Sequence, residues 1–202
     1  MSVIQIIVPA VYHQLHFLEE CLRSVKNNTP VNHVVNVAIG KQPLEERIGE
    51  IVATARGVYE RTGLVITCCP PEFGYNGAVM EVLKDGDFEY TVVLPVTHRI
   101  EDDSWFGKMQ LPHIRARGCG MTFAPDEEPA NTLAPSCWGW RQPIPSQFFM
   151  LQRAVMDSAR AARIDLDGAD IITVIRDHLR TVATNCWVVP SCRVAKLQSE
   201  PW

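Results

Sequence analysis

The stretch VIQIIVPAVYHQLHFLEECLRSVKNN, residues 3–28, combines the two patterns that set the fold class. Val3 to Val8 is a run rich in β-branched residues that Pro9 ends, which is typical of a strand buried on both faces of a parallel sheet. Residues 16–28 then repeat apolar side chains at helical spacing, at Phe17, Leu18, Cys21, Leu22 and Val25. A strand followed by a helix is the repeating unit of parallel α/β folds, so we expect further units downstream.

The alternation of strand and helix patterns continues as far as Pro95. The pattern predicts a strand over 33–40, a helix over 43–63 closed by Gly63, a strand over 64–69, a helix from Tyr75 to 86 and a strand over 88–95. These units predict an α/β fold with a mainly parallel central sheet flanked by helices. Ligands bind beyond the carboxyl ends of the strands in open sheets of this kind, so we expect the site in the loops after these strands.

The pattern changes beyond Asp102. We predict a helix over 102–116 with Asp102 or Asp103 as its N-cap, a short strand within 118–125, a loop rich in Pro and Trp over 126–146, helices over 147–164 and 167–183, and a short edge segment over 186–197. A long loop in a compact domain is usually functional or mobile.

Composition bounds the class of protein. A chain of 202 residues that is 47% hydrophobic and 21% charged predicts one globular domain over 1–202. A net charge of −4 gives no bulk electrostatic reason to bind nucleic acid or an anionic membrane. Seven cysteines without a Cys-x-x-Cys pair signal neither a disulfide framework nor a zinc site, which favours a reducing cytoplasm. We expect no signal peptide and no membrane segment.

Four stretches resemble inverting, GT-A-fold glycosyltransferases of family two, especially those similar to rhamnosyltransferases. IIVPAVYHQLHFLEECLRSV resembles that family's first strand, turn and helix, and EFGYNGAVMEVLKDGDFEYTVVL resembles the following helix and strand, with Gly74, Tyr75 and Ala78 at matching positions. PSQFFMLQRAVMDS resembles its acceptor-side helix, and GADIITVIRDHLRTVATNCWVVPSCRVAKL resembles its terminal region. The resemblance implies a GT-A, Rossmann-like fold and covers nearly the whole chain.

The chain departs from the family at its donor-side acids. The family's Asp-x-Asp motif, which holds a divalent metal at the donor diphosphate, aligns with the uncharged Pro95, Val96 and Thr97. The family's nucleotide-holding Asp is missing from VAIGKQ, and its late metal-binding His aligns with Lys196. We therefore expect no metal ligands, and a divalent metal is not required if a protein cation replaces it.

The resemblance and the chemistry of the residues together predict three groups of site residues. Asp170 is the predicted general base, with Asp167 as its rival. The predicted donor and diphosphate residues are Pro9, Tyr12, Lys41, Gly74, Tyr75, Thr97, His98, Arg99 and Lys196. The predicted acceptor residues are Trp138, Trp140 and Gln147, where the indole rings either stack on a sugar or pack in the core or a loop.

Each of these residues also has a simpler interpretation. Lys196 and Arg99 can be ordinary surface cations, and either aspartate can be a helix cap. His98 can be structural or contact phosphate, with metal ligation ranked last. The acids at 101–103 resemble caps and helix-dipole partners more than a displaced metal site, for which Asp103 is the minor alternative.

The resemblance therefore implies a transferase that moves a sugar from a nucleotide-sugar donor to a hydroxyl acceptor, with inversion and without a metal, and the cysteine content favours the cytoplasm. The acceptor class stays open between glycan, protein, lipid-linked sugar and modified nucleic-acid base. The alternative from another class is a non-catalytic GT-A-like binding or scaffolding protein. A nucleotidyltransferase fits less well because it needs metal-binding carboxylates.

Overall fold

The computed structural model describes residues 4–10, 12–40, 45–59, 63–69, 75–85, 87–125, 136–138, 148–161, 177–178 and 185–197. The strands are β1 Ile4–Ala10, β2 His33–Ile39, β3 Leu64–Cys68, β4 Tyr90–Val93, β5 His98–Ile100, β6 Cys119–Phe123, β7 Ser136–Trp138, β8 Phe149–Gln152, β9 Asn185–Val188 and β10 Val194–Lys196. The helices are α1 Leu18–Asn28, α2 Glu45–Val58, α3 Tyr75–Asp85, α4 Trp105–Arg115 and α5 Arg153–Ala161, and a 3₁₀ helix spans Tyr12–Phe17.

Eight of these strands form one sheet in the order β3-β2-β1-β4-β8-β6-β9-β7. The first four run parallel, β8 lies antiparallel between β4 and β6, β9 is parallel to β6, and β7 is antiparallel to β9. The predicted α/β class, with a mainly parallel sheet flanked by helices, is confirmed. β5 and β10 form a separate antiparallel pair.

Both faces of the sheet are buried. One apolar cluster joins alternate residues of β1, β2 and β4 to α1, α2 and α4, with Trp105 fully buried in it. The other cluster joins the opposite strand face to α3 and α5. This two-sided burial explains why β1 is continuously apolar apart from Gln5, since neither face meets water. No helix among the described residues is long and apolar enough to cross a membrane.

Two sequence predictions after β6 are wrong. The predicted helix over 147–164 begins with a strand, because Phe149–Gln152 pairs with both β4 and β6 and α5 begins only at Arg153. The predicted edge segment contains β9, which lies inside the sheet between β6 and β7. A contiguous apolar run fits a buried strand as well as a helix, and only its neighbours in the sheet decide.

Other predictions need smaller changes. Part of the Pro- and Trp-rich loop forms β7, and His98–Ile100 forms a strand that the sequence did not predict. The N-cap residue of α4 is Ser104, not Asp102 or Asp103. The helix predicted over 167–183 lies outside the described residues apart from 177–178.

His113 of α4 is expected to make the fold sensitive to acid. Its Nδ1–H donates to the carbonyl oxygen of Cys119 at 3.2 Å, so in the neutral ring Nε2 accepts from the Thr122 hydroxyl, also at 3.2 Å. Burial lowers the pKa of His113 to about 4, against a small upward effect of the bond to Cys119. Below about pH 6.5 the His113 imidazole is protonated in the unfolded chain but stays neutral in the folded chain. The free energy of unfolding therefore falls by about 3 kcal/mol between pH 6.5 and pH 4.

Chemical denaturation of the wild type and of His113→Gln at both pH values measures this loss. Glutamine keeps a donor and an acceptor but does not titrate, so its free energy of unfolding should lack the His113 share of the decline. Asp102 does not interfere, because its pKa lies below the ordinary 3.8 and its stabilisation is lost only at lower pH. An equal decline in both proteins would contradict the prediction.

Candidate functional site

The strand order reverses between β1 and β4, so the carboxyl ends of these two strands are where a sheet of this kind is expected to form its ligand crevice. The chain passes from β1 to β2 on one side, and it later crosses from β3 to β4 on the other side of β1. This reversal of strand order beside β1 is a topological switch point, where open α/β sheets bind their ligands. The 3₁₀ helix Tyr12–Phe17 follows β1 at this edge, and a turn leading to β5 follows β4.

The turn after β4 is uncharged because it folds back into the core. The Leu94 N–H donates to the Ile7 carbonyl at 2.9 Å, and the His98 N–H donates to the Pro95 carbonyl at 2.9 Å, which closes a turn. Val96 is fully buried and belongs to the same apolar cluster as α1. A carboxylate at this position would lose its hydration without a partner, so the turn is built from apolar residues.

The turn leads into an antiparallel ribbon formed by β5 and β10. In this ribbon Lys196 lies opposite His98, and Ala195 lies opposite Arg99. The Leu197 N–H donates to the carbonyl of Thr97 at 2.7 Å and extends the pairing to the turn. The structure thus brings Lys196 beside Thr97, His98 and Arg99, from which it is far in sequence.

Side chains from α1 hold the other edge of β5. The Ile100 N–H donates to the Ser24 hydroxyl at 3.0 Å, and the Asn28 amide donates to the Ile100 carbonyl at 2.6 Å. These two side chains hydrogen-bond the backbone of β5 along the edge where a third strand would otherwise pair. At the far end of the ribbon, the Glu101 N–H donates to the Arg193 carbonyl at 3.2 Å. The position of the ribbon over α1 is therefore fixed from both edges.

Arg99 is already paired with carboxylates. Its guanidinium donates to Glu20 of α1 at 2.8 Å and to Glu101 at 3.2 Å, and these hydrogen bonds raise the pKa of Arg99. All three side chains are about half exposed, so each pair stabilises the fold only slightly. What matters more for function is that two nearby negative charges offset the charge of Arg99.

The acids after the ribbon support the start of α4. Burial by itself would raise the pKa of Asp102, but hydrogen bonds from Ser104 and from the Lys108 ammonium, at 2.9 Å, lower it. Glu101 pairs with Arg99, and Asp103 is exposed. Among the described residues no three His, Cys, Asp or Glu side chains are grouped to hold a metal.

Lys196 differs from these cations. Its side chain is exposed on the ribbon, and within the described part of the chain no carboxylate forms an ion pair with it. His98, its neighbour across the ribbon, is only 3% exposed, and its Nδ1 lies 3.0 Å from the Thr97 hydroxyl. Among the described residues, no carboxylate therefore offsets the charge of Lys196 on the ribbon.

The remaining predicted residues fall into three groups by position. Pro9 lies buried near the end of β1, Tyr12 begins the 3₁₀ helix, and Tyr75 begins α3, so all three lie at the carboxyl edge of the sheet. Trp138 ends the outermost strand β7 and pairs with Cys186 near the start of β9, away from the crevice. Six residues lie outside the described part of the chain: Lys41, Gly74, Trp140, Gln147, Asp167 and Asp170.

The structure also shows a cleft that the sequence did not indicate. It has a volume of about 430 Å³ and lies between α2 and the segment that follows β1, with Leu18 and Ile51 at its base. Its other lining residues are Leu15, His16, Arg47, Glu50 and Thr54. These residues look like ordinary helix surface in the sequence, and no motif marks them.

Comparison of the chain with protein-family models finds no match, and comparison with curated proteins finds none either. The resemblance to glycosyltransferases therefore depends on the quoted motifs alone.

Proposed function

We propose that this protein is a GT-A-fold glycosyltransferase that moves a sugar from a nucleotide-sugar donor to a hydroxyl acceptor, with inversion and without a divalent metal. The observation that carries the proposal is the position of Lys196. Its charge is not offset by a described carboxylate, and it lies on the ribbon beside the turn after β4. In the resembled family that turn carries the metal-binding acids.

The leaving group explains why a cation is needed there. When the bond between the sugar and the diphosphate breaks, negative charge develops on the diphosphate, and a fixed positive charge stabilises it. An ammonium group supplies that charge without ligands, whereas Mg²⁺ or Mn²⁺ needs oxygen ligands that Pro95, Val96 and Thr97 do not offer. Because α1 and β10 hold β5 from its two edges, the ribbon needs little reorganisation when the charge develops.

Two further features support donor binding at this edge. The switch point between β1 and β4 is where open α/β sheets bind nucleotides. α3 begins at Tyr75 at the same edge and has no acid in its first turn, and the first N–H groups of a helix, which have no acceptor within the helix, favour phosphate. Tyr12 and Thr97 follow the two strands that border the crevice.

The acceptor side needs one base. In the proposed reaction a carboxylate, Asp170 or its rival Asp167, takes the proton of the acceptor hydroxyl. The hydroxyl oxygen then attacks the anomeric carbon opposite the diphosphate, which leaves with the bonding electrons. One displacement inverts the configuration at that carbon.

The second candidate is a non-catalytic GT-A-like binding or scaffolding protein. Arg99 is paired with Glu20 and Glu101, and Lys108 is paired with Asp102. These pairs favour the second candidate because they leave few unpaired positive charges, among the described residues near the ribbon, to bind a donor diphosphate. The absence of the donor-side acids would then reflect the absence of catalytic activity.

Calorimetric titration with a panel of nucleoside diphosphates and nucleotide sugars tests the proposal. We expect saturable binding of at least one of them, and much weaker binding of the matching nucleoside, because the cation contacts the diphosphate. A folded protein that binds no member of the panel would refute the proposal.

A further inference from the structure

Among the described strands β3 is at an edge of the sheet, and its own residues carry none of the usual protection. Outer strands in natural proteins are commonly interrupted by a charged residue, a proline or a bulge, because their free backbone groups can pair with another chain. Leu64–Cys68 contains neither charge nor proline, and it pairs with β2 in unbroken register. Val65 is 45% exposed, one of two large apolar side chains so exposed in the described part of the chain.

The direction of the backbone groups in β3 follows from its pairing with β2. The Val35 N–H donates to the Gly63 carbonyl at 2.7 Å, and the Cys69 N–H donates to the Ile39 carbonyl at 3.0 Å. Because N–H and C=O groups alternate in direction along a strand, Leu64, Ile66 and Cys68 direct theirs away from β2. The three outward residues are symmetric about Ile66.

We infer that a second copy of this chain pairs with β3 in antiparallel fashion, about a two-fold axis at Ile66. In that register Ile66 lies opposite the partner's Ile66, and Leu64 lies opposite the partner's Cys68. Every outward residue then belongs to a hydrogen-bonded pair, in which the two residues exchange both bonds. Val65, at a non-hydrogen-bonded position, is covered by the partner strand.

Charge on α2 favours a second copy over an unrelated strand. α2 covers β3, since Ile51 and Ala55 share an apolar cluster with Leu64 and Ile66. The two-fold axis places the two α2 helices antiparallel on the same face of the extended sheet. The sequence of α2 begins Glu45, Glu46, Arg47, a net negative first turn, and its last turn carries Arg56. The antiparallel arrangement therefore sets the net negative first turn of each helix toward the basic last turn of the other, and it also opposes the two helix dipoles favourably.

Light scattering on the full chain from about 1 to about 100 µM, combined with amide exchange by NMR, tests the dimer. We expect a dimer in which the Leu64, Ile66 and Cys68 amides are protected and lose protection on dilution, whereas those of Val65 and Thr67 stay protected by β2. A monomer over the whole range would overturn the inference. So would a dimer in which the three outward amides exchange freely.

Two matched pairs of variants locate the interface. Cys68 is exposed, so Cys68→Pro removes one outward N–H, and the control Cys68→Thr keeps it. Val65→Lys brings one positive charge from each copy close to the two-fold axis, where the two charges repel, and Val65→Thr is its uncharged control. We expect the proline and lysine variants to raise the dissociation constant at least about tenfold, with the controls near wild type. Equal dissociation constants for Val65→Lys and Val65→Thr, both folded, would refute pairing through β3.

Discussion

Lys196→Ala is expected to lower kcat/KM for the proposed sugar transfer by about 10²- to 10³-fold, the usual effect of removing one preorganised group that stabilises developing charge. The loss arises because no described carboxylate offsets this ammonium and because the ribbon holds it beside the turn after β4. Added Mn²⁺ should not restore the rate, since Pro95, Val96 and Thr97 offer no charged ligand. Steady-state kinetics with a donor identified by titration provide the measurement.

Arg23→Ala is the matched control for this variant. Arg23 is an exposed cation paired with Glu19 on the surface of α1, so its removal changes the net charge equally without touching the ribbon. Lys196→Arg keeps the charge and should recover part of the rate. If Lys196→Ala turned over as fast as Arg23→Ala, Lys196 would not supply the missing cation.

Asp170→Asn is expected to lower kcat by about 10²- to 10⁴-fold, because an amide cannot take the proton of the acceptor hydroxyl. Donor affinity should stay close to wild type, since the proposed base acts on the acceptor. Asp167→Asn is the comparison that assigns the base between the two aspartates. The measurements are turnover with saturating donor and the dissociation constant of the nucleoside diphosphate.

The same variant separates the two candidate functions. An enzyme that depends on this carboxylate loses turnover while it keeps its fold and its donor affinity. A binding or scaffolding protein has no turnover to lose and should bind its ligand equally well with either residue. Unchanged turnover in both Asp170→Asn and Asp167→Asn would contradict the proposed base.

The first half of the fold could be predicted because its patterns are strong and local. β1 to β4 are short apolar runs, and α1 to α3 follow them at helical spacing, so period and length identify each element. β8 was missed because Phe149–Gln152 joins directly to α5, and a continuous apolar run does not reveal where strand ends and helix begins. Its identity depends on pairing with β4 and β6, which are distant in sequence.

The ribbon shows a limit of a different kind. β5 and β10 have three residues each, too few for a pattern, and their pairing depends on tertiary structure. The resemblance suggested that Lys196 and Thr97 share a location, but nothing in the sequence indicated that Ser24 and Asn28 bond β5. Polar residues on an amphipathic helix predict a solvent-facing side, and these two instead bind a backbone segment.

The central claim is that a nucleotide sugar binds here without a metal. Thermal unfolding of EDTA-treated protein with a panel of nucleotide sugars, repeated with Mn²⁺, tests it most directly, because a ligand that binds only the folded state raises Tm. We expect at least one nucleotide sugar to raise Tm in EDTA and Mn²⁺ to add little. No shift with any of them, or a shift that requires Mn²⁺, would contradict the account.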